Sequence, residues 1–342
     1  MLYIRADMND TIATGHVMRC LAVAEAARLQ GEEVMFLLAD SQAVSILEKR
    51  GFAYTIFHTR WDDMESELPA IWKVLKEAPG NVLIDSYQVT SSYLEGVAGM
   101  ARTAYIDDVN AFYYPVDILI CYGNQWQEFQ YESRYPDTRL LLGASYAPLR
   151  QCFSNPGKKQ IKPQAECLIL LSGGTDHHNI LGRTLEHAAF MGFQDIDVIC
   201  GAYNVHYDSL RQEYASHKGI HIQKNVADIE RYMANADLAV AAGGTTLYEL
   251  CAFGVPTISY SIADNQTGSA KKFHKERIID YAGCWEDEGL VGRICQYLEC
   301  YKENQALRQE RSQNMQSLID GQGAMRIARE LINYPEKKLD TD

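Results

Sequence analysis

The most reactive feature of the sequence is an imidazole placed where a helix is expected to begin. His16 follows Thr14 and Gly15, between a short apolar run and an apolar-periodic one. The positive end of a helix disfavours imidazolium, which suits such a residue to take a proton as a general base. A histidine that caps the helix or packs beneath it would satisfy the same spacing. Two further loops, Gly173-Gly174-Thr175-Asp176 and Gly243-Gly244-Thr245-Thr246, share the layout of strand, small residues, helix. Small residues let backbone N–H groups come close to an anion, and the helix N-terminus adds partial positive charge. One such turn reads equally well as a packing requirement. Two in one half of the chain, each after an apolar strand, point to a diphosphate. Neither fits the dinucleotide pattern GxGxxG or the P-loop GxxxxGK.

Polar groups cluster at other strand ends. Asp85-Ser86-Tyr87 and Asp107-Asp108 each close an apolar run, where ligands gather on open α/β sheets. Acids there can bind a metal or a sugar hydroxyl, or simply close their own turns. Glu249, one turn into the helix after Thr246, can accept both hydroxyls of a ribose or balance the helix end. Asn265 and Gln266 can read sugar hydroxyls through both amide atoms, with a polar turn as the alternative. His177 and His178 are adjacent, and His217 and His221 flank Gly219. Neither pair has the donor set of a zinc site, and no GxSxG nucleophile elbow occurs.

Such loops need rigid elements to aim them. Apolar runs at 2–5, 34–38, 54–57, 82–85, 103–106 and 118–121 read as strands, with helical patterns at 15–30, 43–49, 68–77 and 91–100 between some of them. This alternation predicts a parallel sheet covered on both faces. The polar stretch 153–163, with Pro156 and Pro163, reads as an interdomain linker. Strands then resume at 167–171, 196–200, 220–223, 238–241 and from 257, and the sequence is helical and charged from 290 onward. The expectation is two Rossmann-like doubly wound domains. Residues 1–155 would carry the His16 loop, and 156–342 the glycine turns and a C-terminal helical segment. A ligand cleft is expected between the carboxyl ends of the two sheets.

A chain of 342 residues fits two domains at roughly 150 residues each. Its 32 basic and 45 acidic residues give a net charge of −13. An acidic surface is poorly suited to a nucleic-acid backbone, though it leaves room for a small anion site made of backbone N–H groups. No apolar run nears the ~18 residues of a membrane span. The start, MLYIRAD, lacks the marks of a secretory signal, so a cytoplasmic protein without stable membrane insertion is expected. Nine cysteines without paired spacing read as reduced core thiols.

The ordered set of motifs resembles a known family. Ala241-Ala242-Gly243-Gly244-Thr245-Thr246-Leu247-Tyr248-Glu249-Leu250, Phe253-Gly254-Val255-Pro256 and Asp264-Asn265-Gln266 are similar to the nucleotide-sugar signature of GT-B glycosyltransferases of the MurG type. Ile4-Arg5-Ala6-Asp7, Thr14-Gly15-His16 with Arg19, Ile84-Asp85-Ser86-Tyr87, Ile106-Asp107-Asp108, 143–150 and Ser172-Gly173-Gly174-Thr175-Asp176 point more narrowly. Together they resemble the PseG family of UDP-2,4-diacetamido-2,4,6-trideoxy-β-L-altropyranose hydrolases of pseudaminic acid biosynthesis. Many related chains are named for spore-coat or surface-polysaccharide biosynthesis. The resemblance implies a GT-B fold and metal-independent hydrolysis of a UDP-sugar, with inversion at the anomeric carbon and no cofactor. It assigns His16 as the base and sets Tyr87 beside the sugar and water. It places Asp7, Gly15 and Arg19 among the substrate contacts. Gly173, Gly174 and Thr175 would line the nucleotide, Thr245 and Thr246 the diphosphate, Glu249 the ribose, and Asn265 and Gln266 the sugar or diphosphate. The alternative is a glycosyltransferase on the same fold, with an acceptor hydroxyl in place of water. A monomer or weak dimer is expected.

Overall fold

The computed structural model describes residues 1–334 apart from Asp10 and Ala13. It divides into two compact units: Met1–Gln151 together with the chain from Gly321 onward, and Cys152–Asp320.

The first unit is a parallel sheet built in the order β1 (Leu2–Ala6), α1 (Gly15–Leu29), β2 (Val34–Leu38), α2 (Val44–Arg50), β3 (Ala53–Ile56), α3 (Leu68–Glu77), β4 (Asn81–Asp85), α4 (Ser91–Ala98), β5 (Thr103–Ile106), β6 (Ile118–Cys121), α5 (Tyr131–Arg134) and β7 (Arg139–Leu142). Its spatial order is β3-β2-β1-β4-β5-β6-β7. Every residue of β1, β5 and β6 is buried, as expected for strands with covered faces. The winding reverses between β1 and β4, so the loops that follow these two strands sit at the topological switch point. The first leads into His16 at the start of α1, and the second carries Tyr87.

The second unit repeats the plan with β8 (Cys167–Leu171), α6 (Ile180–Ala188), β9 (Asp195–Cys200), α7 (Tyr207–Glu213), β10 (Ile220–Lys224), α8 (Ile229–Asn235), β11 (Leu238–Ala242), α9 (Thr245–Phe253), β12 (Thr257–Ser261), α10 (Asp264–Lys275), β13 (Asp280–Cys284), α11 (Leu290–Glu303) and α12 (Gln305–Leu318). The spatial order is β10-β9-β8-β11-β12-β13, all parallel. Its switch point lies between β8 and β11, the two strands that run into the Gly-Gly turns.

Two sequence expectations need correction. The segment from Gly321 does not join the second unit. In α13 (Gly323–Asn333), Ala324, Ile327, Ala328 and Leu331 recur at helical spacing and are buried. They supply an apolar stripe that docks on α1 and β4 of the first unit. Asn81 Nδ2 donates to the Leu331 carbonyl at 2.7 Å, and Arg326 Nη1 donates to the Ser145 carbonyl at 2.8 Å. A Cβ on Gly323 would lie 2.1 Å from the Ala147 carbonyl oxygen, so only glycine fits that approach. This docking also explains why α1 is apolar almost all round: it is covered on two sides. The polar stretch 153–163 is likewise not a free linker. Lys162 pairs with Asp237 at 3.0 Å, and Arg308 Nη2 donates to the carbonyls of Lys162 and Pro163 at 2.8 Å, which pins the stretch to the second unit. Among the described residues, no helix is long and apolar enough to cross a membrane.

Candidate active site

The first unit assembles a charged cluster at its switch point. α1 begins at Gly15, so His16 lies in the first helical turn with Arg19 one turn further on. Spacing of three puts both side chains on one helix face. They meet Asp85, the last residue of β4. Asp85 Oδ1 lies 2.7 Å from His16 Nδ1, and Arg19 grips the same carboxylate through Nε and Nη2, each at 2.5 Å. All three side chains are buried. Burial pushes the Asp85 carboxyl up, but the Arg19 charge and the hydrogen bonds from Arg19 and His16 outweigh it and hold the group well below the usual carboxylate range. An ionised oxygen at 2.7 Å from a ring nitrogen needs a proton between them. Nδ1 therefore carries a proton, which in the neutral imidazole leaves the lone pair on Nε2. The Arg19 Nη2 atom at 3.2 Å from Nδ1 is then a neighbour rather than a donor to it. Among the described residues, Nε2 has no hydrogen-bond partner.

Arg19 is used internally rather than offered to a phosphate. Its remaining amino group, Nη1, reaches Tyr122 OH at 2.8 Å and Asp108 Oδ2 at 3.1 Å. Tyr87 OH donates to the same Asp108 oxygen at 2.9 Å. The Tyr87 ring stands edge-on to His16, with centroids 4.7 Å apart and planes at 78°. Burial and then the Asp108 charge raise the Tyr87 phenol well above its ordinary value, so it stays protonated near neutrality. The ring walls one side of the imidazole, and its hydroxyl is held by Asp108. Asp7 belongs to a second buried network. Its Oδ1 accepts from the Ala39 N–H at 2.9 Å and its Oδ2 pairs with Arg5, which also binds Glu67. Asp107 closes its own loop, accepting from the N–H groups of Val109 and Asn110 and from the hydroxyls of Tyr114 and Tyr131. Asp85 and Asp108, noted from sequence only as strand-end acids, and Tyr122, which the sequence did not single out, complete the cluster. The strand-end positions of Asp85 and Asp108 were the available signal.

In the second unit the two Gly-Gly turns follow adjacent strands. Gly173 takes φ +78°, and Asp176 caps α6 by accepting from the N–H groups of Ile180 and Leu181 at 2.8 and 3.1 Å. The turn leans on Gly201 at the end of β9, where a Cβ would lie 2.0 Å from the Gly173 carbonyl oxygen. Gly201→Ala should therefore displace this turn. Thermal melts are expected to show a modest fall in melting temperature. Thr245 and Thr246 open α9, whose first turn carries no acidic residue and whose leading N–H groups have no intrahelical partners. Gln266 lies against the same turn: its Oε1 accepts from the Ile262 N–H at 3.0 Å, and its Cβ would be 3.3 Å from a Cβ on Gly243. Thr175, Thr245, Thr246 and Glu249 are half-buried, and Asn265 is exposed in the first turn of α10. The histidines set aside from metal binding have other partners. His178 stacks on Trp285 at 3.6 Å, and His221 pairs with Asp195 at 3.2 Å on the surface.

Comparison with known proteins places this geometry. Residues 168–318 match the glycosyltransferase family 28 C-terminal domain. Over 210 residues the chain is 23% identical to the spore coat polysaccharide biosynthesis protein SpsG of Bacillus subtilis, covering 59% of this chain and 61% of that one. Over 123 residues it is 32% identical to the UDP-N-acetylglucosamine–N-acetylmuramyl-(pentapeptide) pyrophosphoryl-undecaprenol N-acetylglucosamine transferase of Campylobacter jejuni, covering 33% of this chain and 34% of that one. The chain thus spans less than two thirds of the length of either relative. Among solved structures, MurG of Acinetobacter baumannii aligns with a TM-score of 0.68 at 14% identity, across 97% of this chain and 99% of that one. The chain has the GT-B fold, and the match to the glycosyltransferase family 28 C-terminal domain falls within its second unit.

Proposed function

We propose that the protein is a cytoplasmic enzyme of surface-polysaccharide biosynthesis that hydrolyses a UDP-sugar, without a metal and with inversion at the anomeric carbon. Its substrate would be a UDP-2,4-diacetamido-2,4,6-trideoxyhexose of the pseudaminic acid type. The observation that supports the proposal is the Asp85–His16 pair, 2.7 Å apart at a sheet switch point, since a carboxylate on Nδ1 suits the Nε2 of a neutral imidazole to a proton acceptor's role. In the step proposed, water attacks the anomeric carbon and gives a proton to His16 Nε2. The bond from that carbon to the β-phosphate oxygen breaks, and its electron pair leaves with UDP. The N–H groups that open α9 would meet the growing charge. A leaving group so stabilised needs no carboxylic acid to protonate it, unlike the alcohol expelled by ordinary glycosidases.

A glycosyltransferase is the second reading, favoured by the similarity to the Campylobacter jejuni enzyme. The same base would then deprotonate an acceptor hydroxyl. Proton NMR of UDP-2,4-diacetamido-2,4,6-trideoxy-β-L-altropyranose, run beside UDP-N-acetylglucosamine without any acceptor, separates the two. Free sugar from the first substrate alone supports the hydrolase. Intact substrate with UDP still bound favours the transferase.

Glu249→Ala tests the nucleotide side. If Glu249 accepts the ribose hydroxyls, UDP binding should weaken by about tenfold. Unchanged affinity in calorimetry would remove it from that role.

A further inference from the structure

We propose that Asp108 selects the glycosyl group, its Oδ1 accepting a hydrogen bond from a neutral O–H or N–H donor on the sugar. This rests on the nucleotide-sugar reading above. The two acids of the Asp107-Asp108 pair are used differently. Asp107 has both oxygens occupied, by the N–H groups of its own loop and by the hydroxyls of Tyr114 and of Tyr131 on α5. Asp108 receives Arg19 and Tyr87 on Oδ2 only. Its Oδ1 is buried and has no partner, although the side chain as a whole is 16% exposed. A carboxylate oxygen withdrawn from water and left without a donor is destabilising, and a ligand that supplies one relieves that cost. Arg19 and Tyr87 hold the carboxylate through its other oxygen, so Oδ1 is fixed in place in the cluster that holds His16 before anything binds.

Charge decides which part of a nucleotide sugar fits. The cluster holds one guanidinium against two carboxylates, Asp85 and Asp108. A phosphate would meet net negative charge there, whereas a sugar hydroxyl or amide N–H brings a proton to Oδ1 at no electrostatic cost. The Asp108 cluster is thereby suited to the sugar rather than to the diphosphate.

Two substitutions test this in opposite directions. In Asp108→Asn the amide oxygen must take the Oδ2 place to keep Arg19 and Tyr87, which turns the NH2 toward the incoming donor. Asp108→Ala removes the acceptor and both contacts without adding a donor. The affinities of each variant for UDP, UDP-N-acetylglucosamine and UDP-2,4-diacetamido-2,4,6-trideoxy-β-L-altropyranose are measured by calorimetry, with melting temperatures as a check on folding. The expected result is that the sugar nucleotide loses about tenfold or more in Asp108→Asn, and less in Asp108→Ala, while UDP changes by less than about twofold. KM should rise more than kcat falls. A larger loss in Asp108→Ala than in Asp108→Asn, tracking the melting temperature, would mean a structural role and overturn the proposal. A fall in kcat at unchanged KM would overturn it too, assigning Oδ1 to the attacking water. A wild-type chain that binds UDP but neither sugar nucleotide would overturn the nucleotide-sugar reading and this inference together. Wild-type binding with unchanged variants would overturn this inference alone.

Discussion

His16→Asn is expected to lower turnover by at least ~10² while UDP still binds. The asparagine amide can still donate to Asp85, so the buried carboxylate keeps a partner and the cluster keeps its packing. What disappears is the lone pair of Nε2, the group proposed to take the proton. The elements proposed to hold the nucleotide belong to the second unit and are untouched. Steady-state UDP release, set against the dissociation constant of UDP, reads the two effects separately. Equal losses in both would make His16 a binding residue and leave the reaction without its base.

Asp85→Asn should be more damaging, because it strikes turnover and folding together. An amide in place of the carboxylate removes the charge that fixes the proton on Nδ1, and its NH2 group favours the opposite tautomer. A loss of about 10²–10⁴ in kcat is expected. The same change strips Arg19 of its two shortest contacts inside the protein. Asp108 remains as a partial partner, so the stability cost should be of order 3 kcal/mol. The pH dependence follows from the depressed carboxyl. A group whose folded-state pKa lies below its unfolded value contributes stability that is fully present above the ordinary aspartate range, about pH 4, and is lost as pH falls toward the folded value. Denaturant melts of the wild type should therefore steepen in their pH dependence below about pH 4, and those of Asp85→Asn should be flatter there. Identical acid limbs would show that the Asp85 charge does not support the fold.

Much of this architecture was legible in the sequence because the buried strands are nearly pure apolar runs. The strand readings at 34–38, 103–106, 118–121 and 167–171 coincide with β2, β5, β6 and β8. The two strands that escaped are sheet edges. β7 opens on an exposed arginine, and β13 is Asp-Tyr-Ala-Gly-Cys, with no β-branched residue. The glycine turns and His16 could be read locally, since each is a short strand-loop-helix pattern. The partners of His16 could not. Asp85 is 69 residues away in sequence, and only the pairing of β1 with β4 brings it to the base. Arg19 and Asp7 fit a substrate-facing motif on paper, yet their polar atoms face buried protein groups. The destination of α13 was hidden for a related reason: its apolar stripe announces that it docks somewhere, but not on which surface.

That docking orders the birth of the molecule. A ribosome delivers α1 and its histidine early, but the helix that covers α1 is made after the entire second unit. The second unit is contiguous in sequence and can close on itself during synthesis, as domains made from one stretch of chain generally do. The first unit must wait with the apolar side of α1 open to water until residues 323–333 return to it. The unit that carries the proposed base is thus completed after the unit proposed to hold the nucleotide.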